Sequence, residues 1–513
     1  MQFGTSECLA HWARYRPNAP AVFHNGHMCS FRELDRRVSV LATRLATEAA
    51  RSNRTAIATR AKLDTFVAML AAVRAGRSAV LINTGLPPAT IQTNLRDASP
   101  DIIVGDTSTA SIAALVGCTS WVLISEVPES TTSGAGGFPE AQGEQEWGVF
   151  FSSGTTGTPK AIERSHHSVI TELIGWCLEL SLNRQSVFYI GRPVFYTGGA
   201  VLSLATLLNG GATILNDVSD ETDFEAIWKD YQRVLASVPV TIAFFIPDQL
   251  RTFMRLAAGG VHSPLAADCI LVMGGPVSGA EKVDANRLLG SRIVESWGNS
   301  ESLGTITEPE DLNSRPGSIG RPFLGDYMCI VDDDGRTLGP GELGHIAGGL
   351  EAGFKAYSNR PHETQQARRF DLIVSEDLGL IDSDGYFYVK GRIQESFILN
   401  GQTYFTSAIE GDLRSEQDLL DCCVVAQPTD KGGVNVSALI VARKDARLPS
   451  LQAAVRERVI AILGRTHTGV NTINISAIPR LPSGKVDRVT AAELAAKKAS
   501  DFSNPSGVRL NDA

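Results

Sequence analysis

Apolar residues in the first part of the chain recur with two different periods. One group recurs every three or four positions, as on one face of a helix: Phe31, Leu34, Val38, Leu41 and Leu45. Short continuous apolar runs follow, as in buried strands: Thr55–Thr59, Ala79–Ile82, Ile102–Val104 and Trp121–Ile124. A further helix, which begins at Asp64 and stops at Gly76, is predicted between the first two runs. This alternation predicts an α/β fold with a mostly parallel, doubly wound sheet.

The next apolar run, Trp147–Phe151, leads into a segment too polar to pack in a core. The segment offers hydroxyl groups, bare backbone and one cation: Ser152, Ser153, Gly154, Thr155, Thr156, Gly157 and Lys160. Such groups suit the oxygens of phosphates, although a solvated surface loop has the same composition. It is not a Walker loop, because Lys160 follows a proline instead of a glycine. We expect a helix over Ser165–Leu182, with its N-terminus close to this phosphate loop.

Two later strands end in turns that carry chemical groups. The strand Cys269–Met273 is followed by Gly274, Gly275 and Pro276, and the strand Arg292–Ser296 is followed by Trp297, Gly298, Asn299, Ser300 and Glu301. Open parallel sheets bind ligands in the crevice outside the carboxyl ends of their strands. We therefore expect these two turns to line one crevice.

The pattern changes near Gly391, where a smaller α+β domain is predicted. Its predicted elements are a helix, two strands and a second helix: Ser407–Ser415, Cys422–Val425, Ala438–Val441 and Leu451–Leu463. We expect a domain over residues 1–391, a second over 392–500 and a disordered tail over 501–513. Near the end of the second domain, Lys485 lies in a loop that proline and glycine stiffen.

Composition excludes several classes of function. The chain has 513 residues, 47 basic and 56 acidic side chains and a net charge of −9, which does not suit nucleic-acid binding or a polybasic membrane surface. The eight cysteines show no metal-type spacing. No secretory signal and no membrane-spanning apolar stretch is visible, so we expect a cytoplasmic protein without nucleic-acid or membrane partners.

The polar motifs together resemble those of the adenylate-forming superfamily, which contains acyl-CoA synthetases, stand-alone adenylation enzymes and luciferases. They occur in the family's order: the phosphate loop, the Trp297–Glu301 turn, Asp377, Arg392 and the Gly484-Lys485 loop. The resemblance implies a large N-terminal domain of doubly wound sub-domains with a β-barrel-like part, followed by a small, mobile C-terminal domain. It also implies ATP and Mg²⁺ as cofactors.

The resemblance assigns a role to each motif residue. Lys160 and Lys485 would be catalytic, and Glu301 would help to hold magnesium. Trp297 would provide a flat face for adenine, Ser300 a hydroxyl, and Arg392 a contact to ribose or phosphate. Asp377 would accept both ribose hydroxyls, a task for which two acceptor oxygens are suited.

The chain departs from the family pattern at several positions. Phe195 matches the family's aromatic residue beside the acid pocket, but Tyr196 stands where histidine is common. Glu376 replaces a glycine, and Gln394 stands at the hinge in place of aspartate or lysine. In the loop that faces the active site during thioester formation, Gly401 is retained while Leu399 replaces lysine. Candidate residues of the acyl pocket are Phe195, Tyr196, Val238, Gly274 and Leu303.

Three functions are compatible with these features. The first is activation of a carboxylic acid by ATP and transfer of the acyl group to the thiol of CoA or of a carrier protein. We expect such a carrier to be a separate protein, because no carrier domain follows Lys485. The second function transfers the acyl group to an amine instead. The third is nucleotide binding without turnover, against which the complete set of motif residues argues.

Overall fold

The computed structural model describes residues 4–48, 52–115, 120–126, 138–139, 143–152, 159–260, 266–301, 303–308, 310–324, 326–429, 433–464, 469–481 and 485–503. The strands of the N-terminal part are β1 (Pro20–His24), β2 (His27–Ser30), β3 (Arg54–Ala58), β4 (Ser78–Leu81), β5 (Ile102–Gly105), β6 (Ser120–Leu123), β7 (Glu146–Phe151), β8 (Ala161–Ser165), β9 (Val187–Ile190), β10 (Ala212–Ile214), β11 (Ile242–Phe245), β12 (Cys269–Met273), β13 (Arg292–Gly298), β14 (Gly304–Ile306), β15 (Arg321–Pro322), β16 (Met328–Val331), β17 (Gly344–Gly348), β18 (Ala356–Tyr357), β19 (Arg368–Arg369), β20 (Leu372–Ile381) and β21 (Phe387–Arg392). Those that follow are β22 (Ser396–Leu399), β23 (Gln402–Phe405), β24 (Leu419–Pro428), β25 (Val434–Ala442) and β26 (Val470–Asn474).

The helices are α1 (Thr5–Tyr15), α2 (Phe31–Thr47), α3 (Lys62–Arg74), α4 (Pro88–Ala98), α5 (His166–Glu179), α6 (Thr197–Leu208), α7 (Phe224–Leu235), α8 (Pro247–Ala258), α9 (Gly279–Leu289), α10 (Asp311–Ser314), α11 (Pro361–Ala367), α12 (Thr406–Leu413), α13 (Leu448–Leu463) and α14 (Arg488–Ser503). Part of the predicted disordered tail is therefore helical, because α14 continues to Ser503. Residues 504–513 of that prediction lie outside the described part of the chain.

Two large sheets form the N-terminal part. One has nine strands in the order β15-β14-β13-β12-β11-β9-β10-β1-β2, and the other has seven in the order β18-β8-β7-β4-β3-β5-β6. Their central strands run parallel, as the alternating pattern predicts. A hydrophobic core built from both sheets and from α2, α3, α5 and α6 joins them. The α/β class predicted from the sequence is confirmed.

Smaller sheets follow the two large ones. Strands β16, β17, β19, β20 and β21 form a five-stranded antiparallel sheet. After it, β22 and β23 form a hairpin, and β24, β25 and β26 form a sheet with helices packed on both faces. The chain thus ends in a small α+β unit, as the resemblance implies.

The helix behind the phosphate loop begins within one residue of the expected position, but its start is not close to the loop. Strand β8 separates the loop from α5, and Ser165 caps α5 through a reciprocal pair of hydrogen bonds with Ser168. Five residues of strand span roughly 16 Å, whereas the partial charge of a helix N-terminus falls off within its first turn. The expectation that this helix end supports the loop is therefore wrong.

Within the described residues, the helices lack either the length or the continuous apolar character needed to cross a bilayer.

Candidate active site

The phosphate loop connects the antiparallel strands β7 and β8. Its base is closed by two hydrogen bonds, from the Ser152 backbone N–H to the Lys160 carbonyl oxygen at 3.0 Å and from the Lys160 N–H to the Ser152 Oγ at 2.9 Å. Both residues line a cavity of about 830 Å³. The other residues predicted for this loop lie outside the described part of the chain: Ser153, Gly154, Thr155, Thr156 and Gly157.

Four side chains form a connected group on one wall of this cavity. The Lys160 Nζ lies 4.9 Å from the ring centroid of Tyr357 and 3.5 Å from the Glu376 Oε1. The Tyr357 hydroxyl donates to the Glu301 Oε1 at 2.6 Å. Burial and the nearby Glu301 carboxylate raise the pKa of Tyr357 well above its usual range, so this hydroxyl remains a donor. Tyr357 was not found from the sequence, because it belongs to none of the motifs.

The carboxyl ends of β12 and β13 lie at this cavity, as expected for a ligand crevice at the edge of a parallel sheet. Gly274, Gly298, Ser300 and Glu301 line it, and the Thr197 hydroxyl donates to the Ser300 Oγ at 3.3 Å. Gly275 and Pro276 are not among its lining residues. The Pro276 carbonyl instead accepts a hydrogen bond from Arg251 at 2.8 Å.

Asp377 lies opposite Arg392 in the register of β20 and β21. The Arg392 Nε is 3.3 Å from the Asp377 Oδ1, and the indole N–H of Trp297 also donates to the Asp377 carboxylate. Burial raises the pKa of Asp377, while the charges of Arg392 and Lys485 oppose that shift. Asp377 and Arg392 line the cavity. Trp297, predicted to provide a face for adenine, is not among the lining residues and packs on the core of the five-stranded sheet.

Lys485 reaches the same cavity from the C-terminal unit. Removal from bulk water, reinforced by the charge of Arg392, lowers the pKa of Lys485 to about 8, although Asp377 opposes the shift. The structure thus brings Lys160, Glu301, Asp377, Arg392 and Lys485 together, although they come from widely separated parts of the chain.

Ion pairs fasten the segment that carries Lys485. Arg480 pairs with Asp421 of the C-terminal unit at 2.7 Å and also with Asp248 at the start of α8. Asp248 in turn pairs with Arg251 at 2.9 Å. We call the contact between Arg480 and Asp248 the latch, because it joins the Lys485 segment to the N-terminal part.

The predicted acyl pocket is only partly brought together. Tyr196, Gly274 and Leu303 line the cavity. Phe195 packs against the ring of Tyr196, at 4.7 Å between centroids, and against the main core. Val238 does not line the cavity. It precedes the amino end of β11 and packs on the core beside α7, whereas the carboxyl end of β11 lies at the cavity. The assignment of Val238 to the pocket therefore needs correction.

Arg192 is a cavity residue that sequence reasoning missed. It follows the apolar strand β9, has only 4% of its surface exposed and lines the cavity. The available signal was a charged residue two positions after a buried strand, at the carboxyl edge of the sheet.

The hinge and the predicted thiol loop lie in different surroundings. Gln394 lines the cavity, within the short turn that follows β21. Gly401 is at the exposed tip of the hairpin of β22 and β23, with φ +78°, and does not line the cavity. A Cβ atom at this position would have no atom within 4 Å.

The donor groups of the cavity suit magnesium only in part. Among the described side chains, no group of three or more His, Cys, Asp or Glu residues is arranged to hold a metal ion. Magnesium is usually held by one or two carboxylates together with substrate phosphates, not by a complete cage of protein groups. Glu301, on the wall that also carries Lys160, fits this kind of site.

Known proteins resemble the chain over most of its length. Residues 9–357 match the model of a family described as AMP-binding enzyme. Sulfoacetate–CoA ligase from Cupriavidus necator is 28% identical over 70% of this chain and 69% of its own. The fold resembles that of o-succinylbenzoate CoA synthetase from Bacillus subtilis, solved with its acyl-adenylate intermediate, with a TM-score of 0.83 at 21% identity and coverage of 99% of both chains.

A third similar protein has a different activity. An amide bond synthetase from Marinactinospora thermotolerans has a TM-score of 0.80 at 20% identity, with coverage of 96% of this chain and 100% of its own. These structural similarities confirm the adenylate-forming fold expected from the motifs. Since the family model spans more than half of the residues, the chain belongs to the AMP-binding enzyme family.

Proposed function

We propose that this enzyme uses ATP to convert a carboxylic acid to an acyl-adenylate and then transfers the acyl group to a pantetheine thiol. The observation that carries this proposal is the position of Lys485. A cation from the C-terminal unit lines the cavity of the N-terminal part, beside Asp377 and Arg392. Such an arrangement suits a reaction in which negative charge develops at this point.

The nucleotide would lie between the phosphate loop and β20. Asp377 is buried yet lines the cavity, so its oxygens would accept hydrogen bonds from the ribose hydroxyls. Trp297 and Arg392 both contact Asp377 and would keep it ionised and oriented. Lys160 would attract the outer phosphates, and Gly274 and Gly298 would allow close approach of the backbone.

In the first half-reaction, a carboxylate oxygen of the acid attacks the α-phosphorus of ATP. The new oxygen–phosphorus bond forms as the bond to pyrophosphate breaks, so no protein nucleophile is needed. Lys485 and Lys160 would stabilise the charge on the phosphoryl oxygens, and such preorganised groups typically contribute about 10²–10³ in rate. Glu301 would hold magnesium, which when bound would neutralise phosphate charge.

In the second half-reaction, the thiol attacks the acyl carbon and AMP leaves. Support for a thiol comes from the sulfoacetate–CoA ligase relative and from the exposed Gly401 hairpin. That hairpin would reach the cavity only after the C-terminal unit rotates about Gln394. A pantetheine arm passes most easily beside a residue without a side chain.

An amine is the alternative acceptor. Leu399 stands next to the Gly401 turn in place of a lysine, so the hairpin lacks one cation that an anionic thiol carrier would contact. For the acid substrate, the apolar residues Phe244, Met273 and Leu303 on the cavity wall favour an acyl group with apolar bulk.

Pyrophosphate release from ATP and a panel of acids tests the first half-reaction. Enzyme without any release above the no-acid control would contradict adenylation and favour nucleotide binding alone. The acceptor is tested with the best acid, ATP, and CoA, a phosphopantetheinylated carrier or a panel of amines at matched concentrations. Mass spectrometry should detect a thioester, whereas an amide without any thioester would make the enzyme an amide-forming ligase.

A further inference from the structure

A buried cation forms part of the wall of the cavity. Arg192 exposes 4% of its surface, and its guanidinium lies 4.7 Å from the ring centroid of Tyr196. Withdrawal of a guanidinium from water is costly, and it is tolerated where anions and hydrogen-bond acceptors compensate. A cation in such a position is well placed to bind an anion that enters the cavity.

The position of Arg192 is fixed by its neighbours. The N–H of Gly191 donates to the Phe244 carbonyl of β11 at 3.1 Å, and the Gly191 carbonyl accepts from the buried Gln249 amide at 2.9 Å. A Cβ atom on Gly191 would lie 2.7 Å from the Phe244 carbonyl oxygen. The backbone that leads into Arg192 is therefore held on both sides.

Tyr196 adds a second donor beside Arg192. Its hydroxyl oxygen accepts from the Asn83 amide at 3.1 Å and from the Arg192 guanidinium. A phenolic oxygen has two lone pairs and one hydrogen, so two incoming bonds leave the O–H hydrogen to donate. Burial raises the pKa of Tyr196, which keeps that hydrogen in place at neutral pH.

This pair of donors lies where the apolar and polar parts of the cavity meet. Gly198 packs close to Met273 and Phe244, at 3.0 and 3.2 Å from an ideal Cβ. On the other side, the Thr197 hydroxyl donates a hydrogen bond to Ser300, in the turn that carries Glu301. The Arg192 charge is also close enough to Lys485 to lower the pKa of that lysine. A small acid whose apolar part occupies the first region would place its carboxylate beside Arg192.

From this geometry we infer that Arg192 and the Tyr196 hydroxyl bind the reacting carboxylate of the acid and hold it for attack on ATP. The inference rests on the proposed function and assigns to Arg192 a role in binding the second substrate. A dicarboxylic acid offers a second source of the same chemistry, because its non-reacting carboxylate could occupy this position instead. In both cases the ligand chemistry is an organic carboxylate.

The two sources differ once the adenylate has formed. The reacting carboxylate becomes part of a mixed anhydride and loses its charge, so its attraction to Arg192 falls. A non-reacting carboxylate stays charged through both half-reactions. Arg192→Gln should therefore impair adenylation but spare transfer from synthetic acyl-adenylate if the pair binds the reacting group.

The experiment begins with wild-type enzyme and an acid that releases pyrophosphate, so that the proposed function is established independently. Arg192→Gln should raise KM for that monocarboxylic acid by about 10- to 100-fold, since a hydrogen bond to a charged group is worth that factor. KM for ATP should change by less than about twofold. Tyr196→Phe, which removes only the hydroxyl, should raise KM for the acid by a smaller factor, and Arg192→Lys should restore part of the loss.

A binding measurement separates the carboxylate from the rest of the acid. The carboxamide of the same acid keeps its shape without the charge, and its inhibition constant should be nearly equal for wild type and Arg192→Gln. Arg184→Gln is the matched control, because Arg184 also lies over an aromatic ring, Trp12 at 5.3 Å, but does not line the cavity. Circular dichroism would check that each variant is folded.

Three outcomes would overturn the inference. An unchanged KM for the acid in both Arg192 variants would remove Arg192 from the substrate site. Equal losses for the acid and its carboxamide would indicate a packing role. A loss confined to dicarboxylic acids, and persisting with their acyl-adenylates, would assign the pair to a non-reacting group.

Discussion

Two loops of the C-terminal unit lie in opposite surroundings. The segment with Lys485 reaches into the cavity and is fastened to the N-terminal part by the latch. The hairpin with Gly401 is exposed and lies away from the cavity. Both loops would serve the same active site, yet only one of them reaches it in this arrangement. Under the proposed function, this arrangement therefore suits the first half-reaction, and the second would require that the two loops exchange places.

Gln394 lies at the point where this exchange would begin. It forms part of a short turn between β21 and β22, after which the chain has left the five-stranded sheet. A rotation here would move both loops together, so that loss of one from the cavity accompanies entry of the other. Changes that affect one loop should therefore separate the two half-reactions.

The largest expected effect comes from Lys485→Ala. Adenylation should fall by about 10²–10³, because one preorganised donor for the developing charge is lost. ATP binding should persist, and acyl transfer from synthetic adenylate should be nearly unchanged. Pyrophosphate release and transfer are measured separately with the same enzyme preparation. Equal loss in both assays would refute the assignment of Lys485 to the first half-reaction alone.

Gln394→Pro should produce the opposite separation. Proline fixes φ near −65° and restricts the preceding residue, so it should hinder rotation of the backbone at this turn. Most acyl transfer should be lost while pyrophosphate release in a single turnover is retained. Gln394→Ala is the control, since it removes the side chain but keeps the rotation. Loss of transfer in both variants would point to the side chain and not to the hinge.

Asp377→Ala tests the proposed contact with ATP, which both half-reactions depend on through the bound nucleotide. Loss of a charged acceptor should raise KM for ATP by about 10- to 100-fold. It should also lower the pKa of Lys485 further, because Asp377 is the first of the groups that oppose the downward shift. Thermal unfolding without ATP is the control. A variant that is unfolded under assay conditions would make Asp377 a structural residue.

The fold was largely predictable from the sequence because it depends on local patterns. Apolar runs such as Ala79–Ile82 and Cys269–Met273 coincide with buried strands within about one residue. The helix predicted at Ser165–Leu182 shows the limit of this approach. Its bounds agree with α5 to within about three residues, but the strand between the loop and the helix was not predicted, because it carries the charged residues Glu163 and Arg164. Their partners Arg54 and Glu172 make these charges stable there, and such pairs are not visible in a sequence pattern.

The site was predictable where a motif concentrates the chemistry. The motif residues Lys160, Asp377 and Lys485 line one cavity, although their roles stay predictions. Arg192 and Tyr357 were missed, because their importance depends on contacts between distant segments. Val238 was misplaced for a similar reason, since an apolar residue near a strand carries no sign of which strand end faces the ligand.

The pH dependence of adenylation should report the charge of Lys485. Its pKa of about 8 lies below the usual value for lysine, so the free enzyme carries the required charge below pH 8 and loses it above. The kcat/KM for pyrophosphate release should fall about tenfold per pH unit above pH 8. The corresponding limb of kcat should lie at higher pH, because bound ATP favours the charged lysine. If Lys485→Arg retains activity, the alkaline fall of its pH profile should move above the accessible pH range. A fall that stays near pH 8 in this variant would implicate another group.

The smallest expected effect concerns the latch. Asp248→Asn removes the charge that joins α8 to Arg480, while Arg480 keeps its pair with Asp421 and Arg251 keeps its pair with Glu281. A partly exposed pair of this kind contributes roughly 1 kcal/mol or less, so adenylation should fall by no more than about fivefold. Since the proposed rotation would separate Arg480 from Asp248, loss of the latch should shift the population towards the rotated arrangement. Transfer from synthetic adenylate should therefore be unchanged or faster.

Asp284→Asn, which breaks the exposed pair with Arg287 on α9, should leave both rates unchanged. A parallel fall of both half-reactions in Asp248→Asn would mean that the contact stabilises the protein without selecting between the two loops.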